Sequence, residues 1–215
     1  MGAAALPTLP RRDSQSRARL YAAASRAAPA VLARDRLLRV GGEIGALLPD
    51  GGVRRGSTIA LDGMPGAGAT TVACALAAAA TATGEWAAVV DPDGTFGARA
   101  AERAGVALER CAVVRNVPPD RFATVVAALL DGVALVVAAL PPHLRVGDAR
   151  RLTARARERA AVLVALGPWP AEATMRLATR GGTWHGLDAG SGLLTGRDLD
   201  VQVEAKGARR LSRVS

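Results

Sequence analysis

Between residues 57 and 166, short runs that are apolar at nearly every position alternate with longer stretches of mixed character. The runs are STIALD (57–62), WAAVVD (86–91), CAVVRN (111–116), VALVVAAL (133–140) and AVLVAL (161–166). A strand apolar on both sides must be covered on both sides, so these runs predict a parallel sheet between two layers of helix. The stretches between them predict helices over 69–83, Thr95–Ala104, Pro119–Leu130 and Asp148–Ala160. Further on, the period shortens. ATMRLATRGGTWHGL and GRDLDVQVEAKG alternate apolar and polar residues on either side of the Gly-rich DAGSGLLTG. That pattern predicts an antiparallel hairpin closing one edge of the sheet. Before the sheet, Asp13 or Ser14 is placed to cap a helix that runs to Ala28 and stops at Pro29, and AVLARDRLLRV reads as a second helical piece ending at Gly41-Gly42. The expected organisation is a basic helical arm (1–40), an α/β core (41–205) and a basic tail (206–215).

Charge follows the same divisions. Residues 1–40 hold eight arginines against two aspartates, and 145–160 hold six against two acids. Residues 206–215 carry Lys206 and three arginines with no acid, whereas 41–144 has ten acids against seven arginines. Basic flanks suit nucleic acid or an acidic protein partner; the plainer alternative is that they are solvated ends. No apolar run reaches the ~20 residues that would span a membrane, and the N-terminal charges follow the short apolar stretch instead of preceding it, unlike a secretory signal. Cys74 and Cys111 have no metal-like spacing and read as buried free thiols of a cytoplasmic protein.

One junction carries a chemical motif. GMPGAGATT (63–71) joins the first apolar run to an Ala-rich helix, and Gly63, Gly68 and Thr70 fall on the fixed positions of the phosphate-binding pattern G-x-x-x-x-G-K-[ST]. Such a loop works by turning successive backbone N–H groups inward at a helix N-terminus. Gly63, Gly66 and Gly68 permit that backbone, and Thr70 has the hydroxyl that would meet magnesium. Ala69 stands where the lysine would reach the β- and γ-phosphates. The alternative is a strand–turn–helix junction whose glycines serve packing. Asp91 and Asp93 follow the second run; Asp91 is either an acid near the metal position or the cap of an Asp-Pro-Asp-Gly turn.

Taken in order, these features resemble the core of the RecA recombinase family from about Leu38 to Gly207. The resemblance implies a RecA-like fold: a mainly parallel sheet flanked by helices. It sets Asp93 where the family has a glutamate, Ala138 where the Walker B strand has an aspartate, and Gly167 and Pro168 at the polar end that senses the γ-phosphate. The lysine, the aspartate and the sensing residue are thus replaced together, which implies a pseudo-ATPase with no catalytic residue. Weak ATP or magnesium binding by Gly63, Gly66, Gly68 and Thr70 stays open; no cofactor and no bound metal are otherwise expected.

Within that superfamily the chain resembles the ImuA group, and most of all its short actinobacterial form, ImuA-prime. The degenerate loop, the WHGL…GSGLLTGRDLDVQVE hairpin and the basic ends carry that likeness. It implies an accessory protein of damage-induced (SOS) mutagenic translesion synthesis. Its partners would be an ImuB-like Y-family polymerase homologue and, indirectly, an error-prone C-family DNA polymerase. Two other readings are a cell-division inhibitor of the SulA type and a working ATPase that borrows an arginine. Candidate contacts to DNA or a partner are Arg150, Arg151, Arg155, Arg157 and Arg159, set off from an apolar stripe of Ala149, Leu152, Ala156 and Ala160, together with Arg209, Arg210 and Arg213. The arm is a candidate for self-association. His143, without a partner in the sequence, and the Trp184-His185 pair read as structural.

Overall fold

The structure is a computed structural model that describes residues 36–188, 191–205 and 208–214. The helix expected over Ser14–Ala28, the rest of the arm up to residue 35, and Lys206 lie outside those residues. Five apolar runs become parallel strands: β3 (Thr58–Gly63), β4 (Ala87–Val90), β5 (Cys111–Val114), β6 (Leu135–Ala139) and β7 (Val162–Leu166). A sixth strand, β8 (Met175–Thr179), lies parallel to β3 on its other side. Two antiparallel strands, β11 (Leu199–Ala205) and β12 (Ala208–Val214), extend that edge, so the eight-stranded order is β12-β11-β8-β3-β7-β6-β4-β5.

Burial explains why the runs are apolar throughout. Side chains alternate across a strand, and in β3 Ile59 and Leu61 enter one core while Ala60 enters the other. The first core is closed by helix α2 (Ala69–Ala82), which buries Val72, Ala73, Leu76, Ala77 and Ala80. Alanine is a strong helix former, and its small side chain lets α2 lie close on the sheet. A two-stranded sheet of β1 (Leu37–Arg39) and β2 (Gly52–Arg54), with helix α1 (Gly42–Leu47) between them, contributes Leu38, Ile44 and Val53 to the same core. The second core lies under helix α4 (Phe122–Gly132) and helix α5 (Val146–Arg159), through Phe122, Val126 and Leu130 of α4 and Ala149, Leu152 and Ala156 of α5.

Four expectations change. Leu37–Arg39, expected to be helical, is strand β1: Leu38 is buried and pairs with Val53, so tertiary packing overrides local propensity. The third helix, α3 (Ala98–Arg103), begins only at Ala98, not at Thr95. The expected loop DAGSGLLTG contains β10 (Ser191–Arg197), which pairs with β9 (Trp184–Asp188) as a separate hairpin. Residues expected as a basic tail form β12, paired with β11 at seven positions from Leu199↔Val214 to Ala205↔Ala208. The antiparallel closure itself is present: β8 and β11 pair from Val201↔Thr179 to Ala205↔Met175.

Candidate functional site

The loop after β3 runs from Gly63 to Gly68 and opens into α2. Gly68 has φ +96°, a conformation an L side chain rarely adopts, and a Cβ there would clash with the Leu199 side chain of β11. Gly63 is pressed differently, since its Cβ would meet Thr179 Oγ1 of β8. Packing alone therefore requires two of the three motif glycines. The loop closes as a tight turn onto the helix start. The Ala67 N–H turns back to the Met64 carbonyl, and the first intrahelical bond is donated by Val72 to Gly68. The helix start thus leaves the N–H groups of Ala69, Thr70 and Thr71 without intrahelical acceptors. Gly63, Gly66, Gly68 and Thr70 all line one open cleft of about 400 Å³.

Around this cleft the expected catalytic positions hold no free acid or base. Leu166 and Gly167, at the end of β7, form one wall. Ala138 lies in the second core, and the β6 residues that share a cavity with Thr70 are Val137 and Ala139. Neighbouring positions on a strand face opposite sides of the sheet, so Ala138 and Ala139 lie on different faces, and both are alanines. Asp91 reaches the same small cavity of about 30 Å³, but its carboxylate is engaged. Oδ1 accepts from the Thr95 N–H at 2.9 Å and the Thr95 hydroxyl at 3.2 Å, and Oδ2 accepts from the Phe96 N–H at 2.9 Å. Arg115 Nε lies 3.7 Å from Oδ2. The turn role accounts for this residue, and by holding residues 95–96 it explains the late start of α3. Asp93 is exposed and lines neither cavity. His143 is exposed as well and is absent from the cleft wall.

A residue not singled out from the sequence does enter the cleft. Arg197, at the end of β10, lines it and donates from Nη2 to the Gly66 carbonyl at 2.6 Å. Its guanidinium lies 4.7 Å from the ring centroid of Trp184, its cross-strand partner on β9, a cation–π contact. Beside it His185 Nε2 is 3.0 Å from Asp198 Oδ1. Nothing local in the sequence marks Arg197, because its contact spans 131 residues.

The candidate arginines fall into two places. On α5, Arg155 clasps Asp131 of α4 with two bonds of 2.6 Å, Arg159 reaches the same carboxylate at 3.1 Å, and Arg151 pairs with Asp148 at 3.3 Å. The Arg155 hydrogen bond, aided by both arginine charges against burial, holds Asp131 below the usual carboxylate range. Arg150 and Arg157 are exposed, without an ion pair among the described residues. The expected stripe ends early, since Ala160 is an exposed left-handed cap with φ 53°. On β12, Arg209 donates to Gln202 at 2.6 Å and Arg213 pairs with Asp200 at 3.0 Å, while Arg210 is exposed. The two groups are not brought together: β12 is four strand spacings from β7, against which α5 packs, or ~19 Å.

Both cysteines are free thiols. Burial, and secondarily the nearby Cys111, pushes Cys74 up to about 11, and burial also raises Cys111, so neither is an activated nucleophile. Among the described residues no helix is long and apolar enough to cross a membrane, and no group of three His, Cys, Asp or Glu side chains is placed to hold a metal ion.

Fold and site together define a mixed α/β protein with a glycine-rich strand–loop–helix junction beside an open cleft. A family model, the MT3502 N-terminal domain, matches residues 46–171, more than half of the chain, and the chain belongs to that family. The match contains the loop and the arginine helix and stops before β8. No curated protein matches the chain.

Proposed function

We propose that the chain is a RecA-like protein of the ImuA-prime type, a non-catalytic accessory factor in damage-induced mutagenic translesion synthesis. The observation that carries this reading is a loop with the glycine spacing of a phosphate loop, ringed by side chains that cannot perform the transfer. Ala69, Ala139 and Gly167 have no functional group, and Asp91 is held by Thr95, Phe96 and Arg115. Hydrolysis needs charge stabilisation on the γ-phosphate and a held metal. The RecA-like assignment is supported by the sheet: the strands assigned to the loop, the sensor and Walker B are β3, β7 and β6, which are adjacent and parallel and end together. The interaction role is supported by large apolar side chains left exposed at the loop tip and the hairpin: Met64, Trp184, Leu193 and Leu194.

The test is capture of the tagged protein from its own DNA-damaged cells, read by mass spectrometry. Recovery of a Y-family polymerase homologue, with or without an error-prone C-family polymerase, is the expected result. Recovery of a tubulin-like division protein without polymerases would replace this reading with the SulA-type inhibitor. ATP hydrolysis by the purified parent that disappears on Gly68→Val would overturn the pseudo-ATPase assignment.

A further inference from the structure

The two edges of the eight-stranded sheet differ in kind. One is β5, four residues long and apolar. The other is β12, seven residues that pair with β11 along their whole length and with no other strand. Among the described residues its outer backbone N–H and C=O groups have no backbone partner. Side chains alternate along it. Arg209, Leu211 and Arg213 stand opposite Glu204, Gln202 and Asp200 on one face, while Val214 turns to the other and is buried in the first core. Leu211 is 68% exposed between its two arginines. Arg210, on the face of Val214, is exposed as well.

The charges of this edge are of one sign and incompletely matched. Residues 208–214 hold three arginines and no acid. Arg213 pairs with Asp200. Arg209 instead donates to Gln202 Oε1 at 2.6 Å, and Arg180, just past β8, donates to the same oxygen at 3.3 Å. Two guanidinium groups thus converge on one neutral amide, and Gln202 is itself only 9% exposed. A free edge is a template for another strand. A second copy of β12 would set arginine near arginine, and like charges across a strand pair repel, whereas an acidic segment is attracted. We propose that β12 is a docking edge that takes an extended, acidic segment of a partner protein as an added strand. Facing Arg209, Leu211 and Arg213, that segment carries acid, apolar and acid at alternate positions. Arg209 exchanges the Gln202 amide for a carboxylate, leaving the amide to Arg180. The apolar side chain covers Leu211, and an acid on the other face reaches Arg210. The edge lies outside residues 46–171 of the family match. This inference goes beyond the accessory role, and neither polymerase capture nor hydrolysis enters its test.

The experiment titrates the full-length protein into a fluorescein-labelled peptide and follows anisotropy. In the peptide, glutamate, valine and glutamate take alternate positions with threonine between them. Saturable binding is expected, and the same peptide with lysine for glutamate should not bind. N-methylation of alternate residues separates strand addition from charge attraction, because the amides of alternate residues point to the same side of a strand. Methyl groups in one frame should abolish binding, and those in the other should leave it. The double variant Arg209→Glu, Arg210→Glu should bind the glutamate peptide about tenfold or more weakly, and should bind the lysine peptide instead. That exchange of preference is one that a merely unfolded variant would not show. Arg99→Glu, a reversal at an exposed position of α3, should leave affinity alone. Equal binding of the glutamate and lysine peptides would overturn the inference, as would equal binding of the two methylated frames or no binding by the folded parent. A dimer of the protein that Leu211→Asp dissociates would overturn it in favour of a second copy. A duplex oligonucleotide that binds through Arg209 and Arg210 where the peptide does not would overturn it in favour of nucleic acid.

Discussion

Single residues in this chain answer to their neighbours more than to their motifs. Asp91 sits in a stretch that reads equally as an acid for metal or as a turn cap, and three hydrogen bonds settle its structural use. Gly63 and Gly68 satisfy a motif, yet Thr179 and Leu199 would exclude a side chain there in any case. Both facts were within reach of the sequence as alternatives; Arg197 was not, because no local pattern announces a contact between residues 131 apart. Glu85 offers a test at this scale. It accepts from Arg55 at 2.6 and 3.1 Å and from the Thr83 hydroxyl at 3.0 Å, just ahead of β4. Burial raises its carboxyl, and these bonds with the Arg55 charge outweigh that, leaving it below its ordinary value of 4.5. A carboxylate lowered in the folded state adds stability above the unfolded value and loses it as pH falls through the folded one. Glu85→Gln should therefore cost ~0.5–1 kcal/mol at pH 7, discounted for exposure. The difference should shrink below pH 4.5 and then vanish, as urea denaturation across pH would record. A cost that stays constant into acid would assign the effect to packing.

Elements were legible where burial alone dictates the pattern. The five parallel strands and the helices between them follow from apolar runs that need cover on both faces. The misread parts are those in which a short segment is fixed by a distant partner: β1 by β2, β10 by β9, and β12 by β11. In β12, arginines at the sheet margin resemble a tail in composition, but charged residues are also how an edge strand avoids pairing with another sheet. The same ambiguity surrounds α5. Its arginines read as free to meet DNA, whereas Arg155 and Arg159 share Asp131 and so tie α5 to α4. Exposed pairs of this kind add little stability, so Asp131→Asn should hardly move the melting temperature while releasing two cations. If α5 meets the phosphate backbone, affinity for a duplex oligonucleotide should rise several-fold and its salt slope should steepen by one or two contacts. Fluorescence anisotropy at two salt concentrations would show it. Unchanged affinity and slope would mean that α5 carries an ionic lattice on a solvated face.

For the described body as a whole, stability and the candidate site are placed in different parts. Two apolar cores flank the sheet, with Leu76 and Leu61 on one side and Phe122 and Leu163 on the other, all essentially without solvent exposure. The β9–β10 hairpin stands apart from both: its two strands pair only with each other, with an irregular register between Gly192 and Gly196, and it exposes Trp184, Leu193 and Leu194. An isolated two-stranded ribbon is marginal in water, and regions with few buried apolar contacts open at less than the global free energy. The tryptophans report the two parts separately, since Trp169 is 4% exposed within the second core and Trp184 is 55% exposed on the hairpin. In a variant carrying Trp86→Phe, single-tryptophan derivatives should give different urea profiles. Trp169 emission should change with the far-ultraviolet circular dichroism in one transition, whereas Trp184 should lose its contact with Arg197 at lower urea. Phe122→Ala should shift the first transition, by ~3–5 kcal/mol, and leave the second in place. Coincident midpoints for both tryptophans would mean that the hairpin belongs to the cooperative core, and the cleft it covers would then be as rigid as the sheet beneath it.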